Sequence, residues 1–168
     1  MKSEVLFVGQ APNRETWERA LRRGRRGAAR RCSKLALTGR CGRKLAELLG
    51  MDFETFLARH RRANLVDRWA GKDGKGDAFD RRLGRAKARR IERGRWRKIV
   101  LLGHQVAGCF GVRGDFLEVS ASADGRLWLA FPHPSGVNRW WNEPRNRRDA
   151  ARVLRGFLRL RAWRSPSR

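Results

Sequence analysis

Cysteine is scarce in this chain, and long apolar runs are absent. The 168 residues include three cysteines, which lie far apart and form no C-x-x-C pair: Cys32, Cys41 and Cys109. This odd number argues against a disulfide framework, a zinc finger and an iron–sulfur cluster. No apolar run approaches the roughly 20 residues that cross a bilayer. The first residues also lack the apolar core and cleavage site of a signal peptide, so we expect an intracellular protein with free thiols.

Acidic residues are also few. Asp and Glu number 16 against 41 Lys and Arg, which gives a formal net charge of +25 and a pI of about 11.9. Such a charge destabilises the folded chain through self-repulsion unless a polyanion neutralises it. Nucleic acid is the simplest partner, because arginine forks match phosphate oxygens and phosphate contacts release counterions. An anionic membrane is the weaker alternative, since the basic residues are not gathered on one amphipathic helix.

Apolar residues are sufficient for one packed core. They make up 40% of the 19.4-kDa chain and include seven Trp and eight Phe, which argues against full disorder. The sequence contains no internal repeat and no low-complexity linker. We therefore predict a single domain over residues 1–168.

Short apolar runs are typical of buried parallel strands. Four of them are continuous rather than alternating: residues 5–8, 63–66, 99–102 and 127–131. Strands that are covered on both faces have this pattern. The Asp124-Gly125 turn predicts an antiparallel neighbour of the last strand near residues 117–120. Helical patterns separate the runs, so we predict a three-layer α/β/α sandwich with a mainly parallel, four-stranded central sheet.

Helix boundaries are indicated by capping residues. Residues 44–49 carry an apolar stripe that ends before Gly50. Asp52 predicts the start of a second helix and Asp77 the start of a third. Asn146 and Asp149 stand at the predicted start of a long final helix.

Polar segments follow the ends of the predicted strands. These segments comprise residues 9–13, the surroundings of Asn64, and residues 103–105 and 132–138. Because parallel strands end at one edge of a sheet, we expect these segments to lie together. Turn chemistry also favours Gly, Pro, Asn and Ser, so composition alone leaves a functional and a purely structural explanation open.

Taken in order, these segments resemble the uracil-DNA glycosylase superfamily. Gly9-Gln10-Ala11-Pro12 matches its G-Q-x-P motif, and the segment Thr38–Leu45 is similar to its G-x-x-G-x-x-L piece. Asn64 follows a second strand, and His133-Pro134-Ser135 matches its H-P-S motif. The resemblance covers residues 5–142. It rests on the order of the motifs, because each single motif also occurs by chance.

The resemblance implies a monofunctional DNA glycosylase. Such an enzyme flips a pyrimidine out of DNA and hydrolyses its N-glycosidic bond with water, leaving an abasic site. No metal and no organic cofactor is implied. The expected partner is DNA, through its phosphate backbone and a flipped base, with no membrane contact, and a monomer is expected. The expected location is the cytoplasm of a bacterial or phage-type system, in association with the nucleoid.

The resemblance also assigns roles around the base. His133 would donate a hydrogen bond to the base as it leaves as an anion, and Asn64 would read the pyrimidine edge. Gln10 and Ala11 would line the opposite side. Leu37 stands where many members have a stacking Phe. A purely structural alternative exists for each: His133 would be an imidazole held in a proline-rich turn, and Asn64 an amide that hydrogen-bonds nearby backbone.

One catalytic position departs from the family pattern. Ala11 stands where some branches have an Asp or Asn that activates the water, so Asn13 and Glu15 are the substitutes to consider. Together, Ala11 and Leu37 suggest a roomy pocket. The base could therefore be uracil in DNA repair, or a bulky modified pyrimidine removed from phage DNA as antiviral defence. A catalytically silent nucleic-acid-binding domain is the alternative from another class.

Contacts to DNA are expected from a loop and from basic segments. The loop after the H-P-S motif enters the minor groove in the superfamily, where apolar wedges replace the extruded base. The resemblance implies DNA-binding roles for Ser135, Val137, Asn138, Arg139 and Trp140. One residue of the pair Trp140-Trp141 should be buried. Residues 14–34 and 81–98 are interpreted as phosphate tracks, the latter through Arg89, Arg90 and Arg93.

Two further histidines have simpler interpretations. His60 lies among three arginines, which predicts a surface position. His104 follows a strand, where helix capping or support of the site is at least as well indicated as catalysis.

Overall fold

A computed structural model describes residues 5–74, 76–136 and 138–160 of the chain. The strands are β1 (Val5–Gly9), β2 (Arg61–Asn64), β3 (Lys72–Asp73), β4 (Gly76–Asp77), β5 (Lys98–Leu102), β6 (Val119–Ala121) and β7 (Leu127–Phe131). The helices are α1 (Arg14–Arg22), α2 (Ala28–Lys34), α3 (Arg40–Leu49), α4 (Phe53–Arg59), α5 (Arg81–Glu92), α6 (His104–Cys109) and α7 (Pro144–Arg159). A short 3₁₀ helix, Arg139–Asn142, precedes α7.

The central sheet has the strand order β2-β1-β5-β7-β6. The pairs β1–β2, β1–β5 and β5–β7 are parallel, and β6–β7 is antiparallel. The predicted α/β sandwich with a mainly parallel sheet is therefore confirmed. The sheet has five strands rather than four, because the antiparallel partner of β7 is part of it.

Alternate residues of the strands face two separate apolar layers. Val5 and Phe7 of β1 pack with helices α3, α4 and α7. Leu6 and Val8, on the other face, pack with α5 and α6. Both faces of β1 and β5 are buried, which is the reason for their continuous apolar runs. Helices α1 and α2 share a smaller cluster around Ala20, Ala28 and Cys32.

Several predicted boundaries were wrong. The second strand begins at Arg61 rather than residue 63 and ends at Asn64. Its predicted end, Leu65-Val66, still donates backbone hydrogen bonds to Gly9 and Gln10, but it lies beyond the strand. Helix α3 begins at Arg40, four residues before its apolar stripe, because its first turn carries charged and small residues.

Capping residues were predicted with mixed success. Asp52 caps α4 through a 2.8 Å hydrogen bond from the Thr55 amide, as predicted. Asp77 does not cap α5; Asp80 does so through the Leu83 amide. The last helix is capped by Glu143 rather than by Asn146 or Asp149, with Pro144 as its first residue. Proline favours that position because it has no amide hydrogen to satisfy.

His60 is not a surface residue, contrary to the prediction. Its ring packs against Phe7 and Phe56, with centroid distances of 5.3 Å and 5.4 Å. Both ring nitrogens are buried, and neither has a hydrogen-bond partner among the residues that the structure describes. The neighbouring arginines suggested exposure, but the ring itself completes an aromatic cluster under the sheet.

The structure shows the state of the three cysteines and the character of the helices. Cys32 is buried and Cys41 and Cys109 are partly buried, and all are free thiols. Burial raises the pKa of each thiol. Within the described ranges, no helix has the length and apolar character needed to cross a membrane.

Candidate active site

The carboxyl ends of the parallel strands form one edge of the sheet. Gly9 at the end of β1 is paired with Asn64 at the end of β2. Leu102 of β5 is likewise paired with Phe131 of β7. The segments that the sequence singled out after these strands are thereby brought to the same edge, as predicted.

Asn64 lies directly against the end of β1. A Cβ atom on Gly9 would be 2.8 Å from Asn64 Oδ1 and 3.4 Å from Leu37 Cδ2. Any larger residue at position 9 would therefore displace the Asn64 amide or Leu37. Asn64 is only 4% exposed, and its side chain makes no hydrogen bond within the described part of the chain. Its amide oxygen and nitrogen are therefore available to a ligand.

Leu37 is held in a left-handed backbone conformation next to this amide. Its φ is 55°, which is costly for a residue with a Cβ. A Cβ on Gly42 would collide with the carbonyl oxygen of Leu37. Gly42, in the segment Thr38–Leu45, thus permits the close approach that fixes Leu37 beside the end of β1.

His133 follows β7 at the same edge. Its backbone carbonyl oxygen accepts hydrogen bonds from Trp141 Nε1 at 2.8 Å and from Asn138 Nδ2 at 3.0 Å. On its other side, a Cβ on Gly103 would be 3.3 Å from His133 Cβ. Flanking Pro132 and Pro134 are buried. The main chain that carries the imidazole is therefore fixed.

The electrostatic environment keeps the imidazole of His133 neutral. Burial lowers its pKa, and the carboxylate of Asp77 partly offsets this effect. The ring nitrogens make no hydrogen bond within the described part of the chain. A neutral imidazole carries one N–H and can donate it to a ligand.

The loop between β1 and α1 supplies no free carboxylate. Asn13 is exposed and caps α1, with its side-chain oxygen accepting from the Thr16 amide at 2.8 Å. Glu15 is exposed and pairs with Arg19. Gln10 and Ala11 are partly buried, and the Gln10 carbonyl oxygen accepts a hydrogen bond from the Val66 amide. Asn13 and Glu15, the substitutes that the sequence suggested for the water activator, are thus engaged in α1.

Asp77 has an electrostatic effect on His133 that sequence reasoning missed. It lies in the β3–β4 hairpin, and its carboxylate acts on the pKa of His133. The sequence offered it only as a helix cap, because two-residue strands produce no periodic pattern. The polar segment Lys72–Asp77 between two apolar runs was the only available signal.

The loop after His133 has a structured aromatic end. Trp141 is 3% exposed, which confirms that one residue of the pair is buried. Trp140 is partly buried and contacts Phe116 edge-on at 6.2 Å. Asn138 caps the 3₁₀ helix, Arg139 is exposed and Ser135 is partly buried. Val137 lies outside the described residues.

Other cationic and aromatic groups border the same loop. The ammonium of Lys44 lies 4.1 Å from the ring centroid of Trp141. His104 is exposed and begins α6, where its ring stacks on Phe116 at 3.9 Å. These groups place aromatic rings and positive charge beside the loop that follows His133.

The three predicted phosphate-binding arginines lie away from this edge. Arg89, Arg90 and Arg93 are exposed, but they belong to the carboxyl end of α5, which leads into the start of β5. The amino end of α5, with Arg81 and Arg82, begins at the edge that carries Asn64 and His133. The 12-residue helix spans about 18 Å, so the two groups of arginines occupy different ends of the domain.

A cleft lies beside the middle of α5. It has a volume of about 340 Å³ and is lined by Arg85, Arg89 and Arg113, together with Gly108, Cys109 and Gly111. Its three arginines make no ion pair with a described residue. The cleft is part of the basic surface, separate from the strand ends.

The described ranges contain no group of three or more His, Cys, Asp or Glu residues arranged to hold a metal ion. Comparison of the chain with protein-family models gives no match, and comparison with curated proteins gives none either. The function is therefore inferred from the residues of this chain and their geometry.

Proposed function

We propose that the protein is a monofunctional DNA glycosylase that hydrolyses the N-glycosidic bond of a flipped pyrimidine. The observation that carries this proposal is the meeting of two unpaired groups at one sheet edge: the buried amide of Asn64 and the neutral imidazole of His133. An ordered resemblance of the motifs to the uracil-DNA glycosylase superfamily supports the same activity.

The chemistry of base release suits His133. As the glycosidic bond breaks, the sugar becomes cationic and the base becomes anionic. A donor that is fixed before the reaction stabilises the anion in the transition state more than the neutral base in the ground state. The hydrogen bonds from Trp141 and Asn138 to the His133 carbonyl provide that fixation.

Asn64 suits recognition of the base edge. Its amide offers one acceptor and two donors, which is the combination needed to read a pyrimidine. No described residue hydrogen-bonds this side chain, which leaves its groups available to the flipped base. Leu37 lies against Gly9 at the end of β1, and Ala11 follows two residues later. Because both side chains are small or aliphatic, we extend the proposal to modified pyrimidines as well as uracil.

The basic surface suits the DNA backbone. With a net charge of +25, the chain can gain affinity by releasing counterions from many phosphates. DNA would be bound by exposed arginines around the edge and α5, and the proposed location is the cytoplasm, on DNA. The biological role would be DNA repair if the excised base is uracil, and antiviral defence if it is a modified base of phage DNA.

A catalytically silent DNA-binding domain is the second candidate. Two observations favour it: Ala11 cannot activate water, and the side-chain oxygen of Asn13 is engaged in capping α1. The unpaired Asn64 amide opposes it, because a protein that binds only phosphates has no use for a buried base reader.

The test is a single-turnover assay on oligonucleotides that carry uracil or one of several modified pyrimidines, followed by alkaline cleavage of abasic sites. We expect base release from at least one substrate. His133→Ala should slow release about 100-fold or more, the usual cost of losing such a donor. His104→Ala is the matched control, because its imidazole is near the site but stacks on Phe116. Its rate should stay within a few-fold of wild type.

Asn64→Ala should slow release by a factor that depends on the base offered, because the amide reads the base edge. DNA affinity should change little in either variant, since phosphate contacts supply it. Absence of release from every substrate would favour the silent binding domain. Normal release by His133→Ala would remove the imidazole from the chemistry.

A further inference from the structure

The cleft beside α5 lies where this helix meets the end of α6. A Cβ on Gly84 of α5 would be 2.9 Å from Cys109 Sγ in α6, so a larger residue there would displace the thiol. Helix α6 ends after Cys109, where Gly111 adopts a φ of 70° and donates its amide to the Gly108 carbonyl oxygen. A glycine in this conformation is a common helix ending. The chain beyond it supplies Arg113 to the lining of the cleft.

Two glycines keep the cleft open. Gly108 and Gly111 both line it, and a Cβ on either would meet no described atom within 4 Å. The volume of about 340 Å³ lies at the lower end of the range for pockets that bind small molecules. It accepts one phosphate with its neighbouring sugar, but not a whole duplex, whose major groove alone is about 12 Å wide.

Three guanidinium groups share this space. Arg85 and Arg89 are four residues apart on α5, so they lie on one face of the helix, and Arg113 follows α6. All three are exposed. None of them makes an ion pair or a side-chain hydrogen bond with a residue that the structure describes. Positive charges that line one cleft repel each other, and an anion bound between them removes that repulsion.

The chemistry of the lining fits a phosphate rather than a base. Arginine forks bind phosphate oxygens through paired N–H groups. The described lining consists of arginine, glycine and cysteine, so it offers no aromatic ring to stack on a base and no amide or carboxylate to read a base edge. A mononucleotide would leave its base unbound there, whereas a nucleic-acid backbone needs only its phosphate held.

From the cleft and its three arginines, we infer that this site binds a backbone phosphate of DNA, apart from the strand ends that carry Asn64 and His133. Arg85 and Arg89 are the fifth and ninth residues of α5, which places them about 6 and 12 Å from its first residue. Successive phosphates of one strand are about 3.4 Å apart along a duplex. The bound phosphate therefore belongs to a nucleotide other than the flipped one. The inference goes beyond the proposed reaction, because it needs DNA as the partner but not base release.

The decisive comparison is between two pairs of arginines on the same helix. Arg85→Gln with Arg89→Gln removes two charges from the cleft, whereas Arg90→Gln with Arg93→Gln removes two exposed charges outside its lining. The slope of log affinity against log salt should fall by about 0.9 in the cleft pair, the contribution of one phosphate, and by less in the control pair. Fluorescence anisotropy with one labelled duplex measures both slopes. Equal reductions would mean that charge on α5 acts without the cleft, and would overturn the inference.

A second variant fills the cleft and keeps every charge. Gly108→Leu places an aliphatic side chain in the open space. Gly156→Leu is its matched control, because Gly156 is also helical and exposed, and a Cβ there would also meet no described atom within 4 Å. We expect Gly108→Leu to weaken DNA binding about tenfold, the loss for one hydrogen bond to a charged group, and Gly156→Leu to leave it unchanged. Wild-type affinity in Gly108→Leu would overturn the inference.

Inorganic phosphate separates a backbone phosphate from a free anion. If it raised the Tm of the wild type but not of the Arg85–Arg89 pair, while DNA affinity was unchanged in that pair, the cleft would take a free anion and the inference would be overturned. Binding is measured without catalysis, so the two proposals can fail separately. Cleft-dependent DNA binding by a wild-type protein that releases no base would overturn the proposed function and support this inference.

Discussion

The indole of Trp141 donates a 2.8 Å hydrogen bond to the backbone carbonyl oxygen of His133. Trp141 is buried, and its ring lies 6.0 Å from that of Phe131 at the end of β7. The residue proposed to meet the leaving base is thereby tied to the apolar core through its own main chain. Its position is set before DNA binds, which is the condition for preferential stabilisation of the transition state.

Trp141→Phe should weaken this anchor without emptying the core. Phenylalanine keeps an aromatic ring but leaves the His133 carbonyl with Asn138 as its remaining donor. We expect the free energy of unfolding to fall by about 1–2 kcal/mol and single-turnover release to slow by about tenfold. Denaturant titration and the abasic-site assay measure the two effects.

Trp128→Phe is the control for that variant, because its ring is partly exposed and its indole nitrogen donates to no described residue. It should retain both stability and release rate to within a small factor. If Trp141→Phe lost stability but released base at the normal rate, the anchor would serve folding alone.

The two ends of α5 should contribute unequally to DNA binding. Arg81→Gln with Arg82→Gln changes the end near Asn64, whereas the triple change of Arg89, Arg90 and Arg93 affects the far end. Each phosphate contact contributes about 0.9 to the slope of log affinity against log salt. We expect the near pair to flatten that slope more per arginine than the far triple.

Fluorescence anisotropy at several salt concentrations, with one labelled duplex, measures both slopes. A triple variant with the wild-type slope would remove the far end from the interface. An equal reduction per arginine at both ends would instead mean that DNA follows the length of the helix.

Lys98 at the start of β5 should stabilise the end of α7. Its ammonium donates to the carbonyl oxygens of Leu158 and Leu160 at 2.6 Å and 2.9 Å, and the residue is only 8% exposed. Helix ends leave such carbonyls without intrahelical partners. Lys98→Met keeps the aliphatic stem and should lower the free energy of unfolding by about 2 kcal/mol.

Lys87→Met is the matched control, because its ion pair with Asp67 is partly exposed at 3.1 Å. Such a pair contributes about 1 kcal/mol or less. Urea denaturation of both variants gives the comparison. Similar losses in the two would show that Lys98 acts no differently from an ordinary surface charge.

The sequence was informative wherever burial is continuous along the chain. The run at residues 99–102 predicted β5 because both faces of that strand are covered, which leaves no polar position. By contrast, the hairpin of Asp77 depends on contacts with Trp69 and Lys72, and these contacts have no periodicity. Its electrostatic effect on His133 likewise depends on which distant segments the fold brings together.

The sequence established how much positive charge the chain carries, but not where the charged residues lie in the fold. The arginines beside His60 are external, yet the histidine ring between them turns inward to Phe7 and Phe56, which come from a strand and a helix. Similarly, the sequence indicated a basic surface around Arg89 but could not place it at one end of the sheet. That placement depends on the direction in which α5 runs.

His60 should make folding stability depend on pH. Burial, followed by Arg59 and Arg62, lowers its pKa in the folded state. Above pH about 6.5, the usual histidine pKa, it is neutral in both states and adds no pH dependence to the free energy of unfolding. As pH falls below that value, the unfolded chain binds a proton that the folded chain excludes, so stability is lost until the folded pKa is reached.

Urea unfolding from pH 7.5 to 5 should show a smaller loss of stability in His60→Phe than in wild type. Part of the loss should remain in the variant, because the pKa of His133 is shifted in the same direction. Parallel curves would exclude His60 as a source of the dependence.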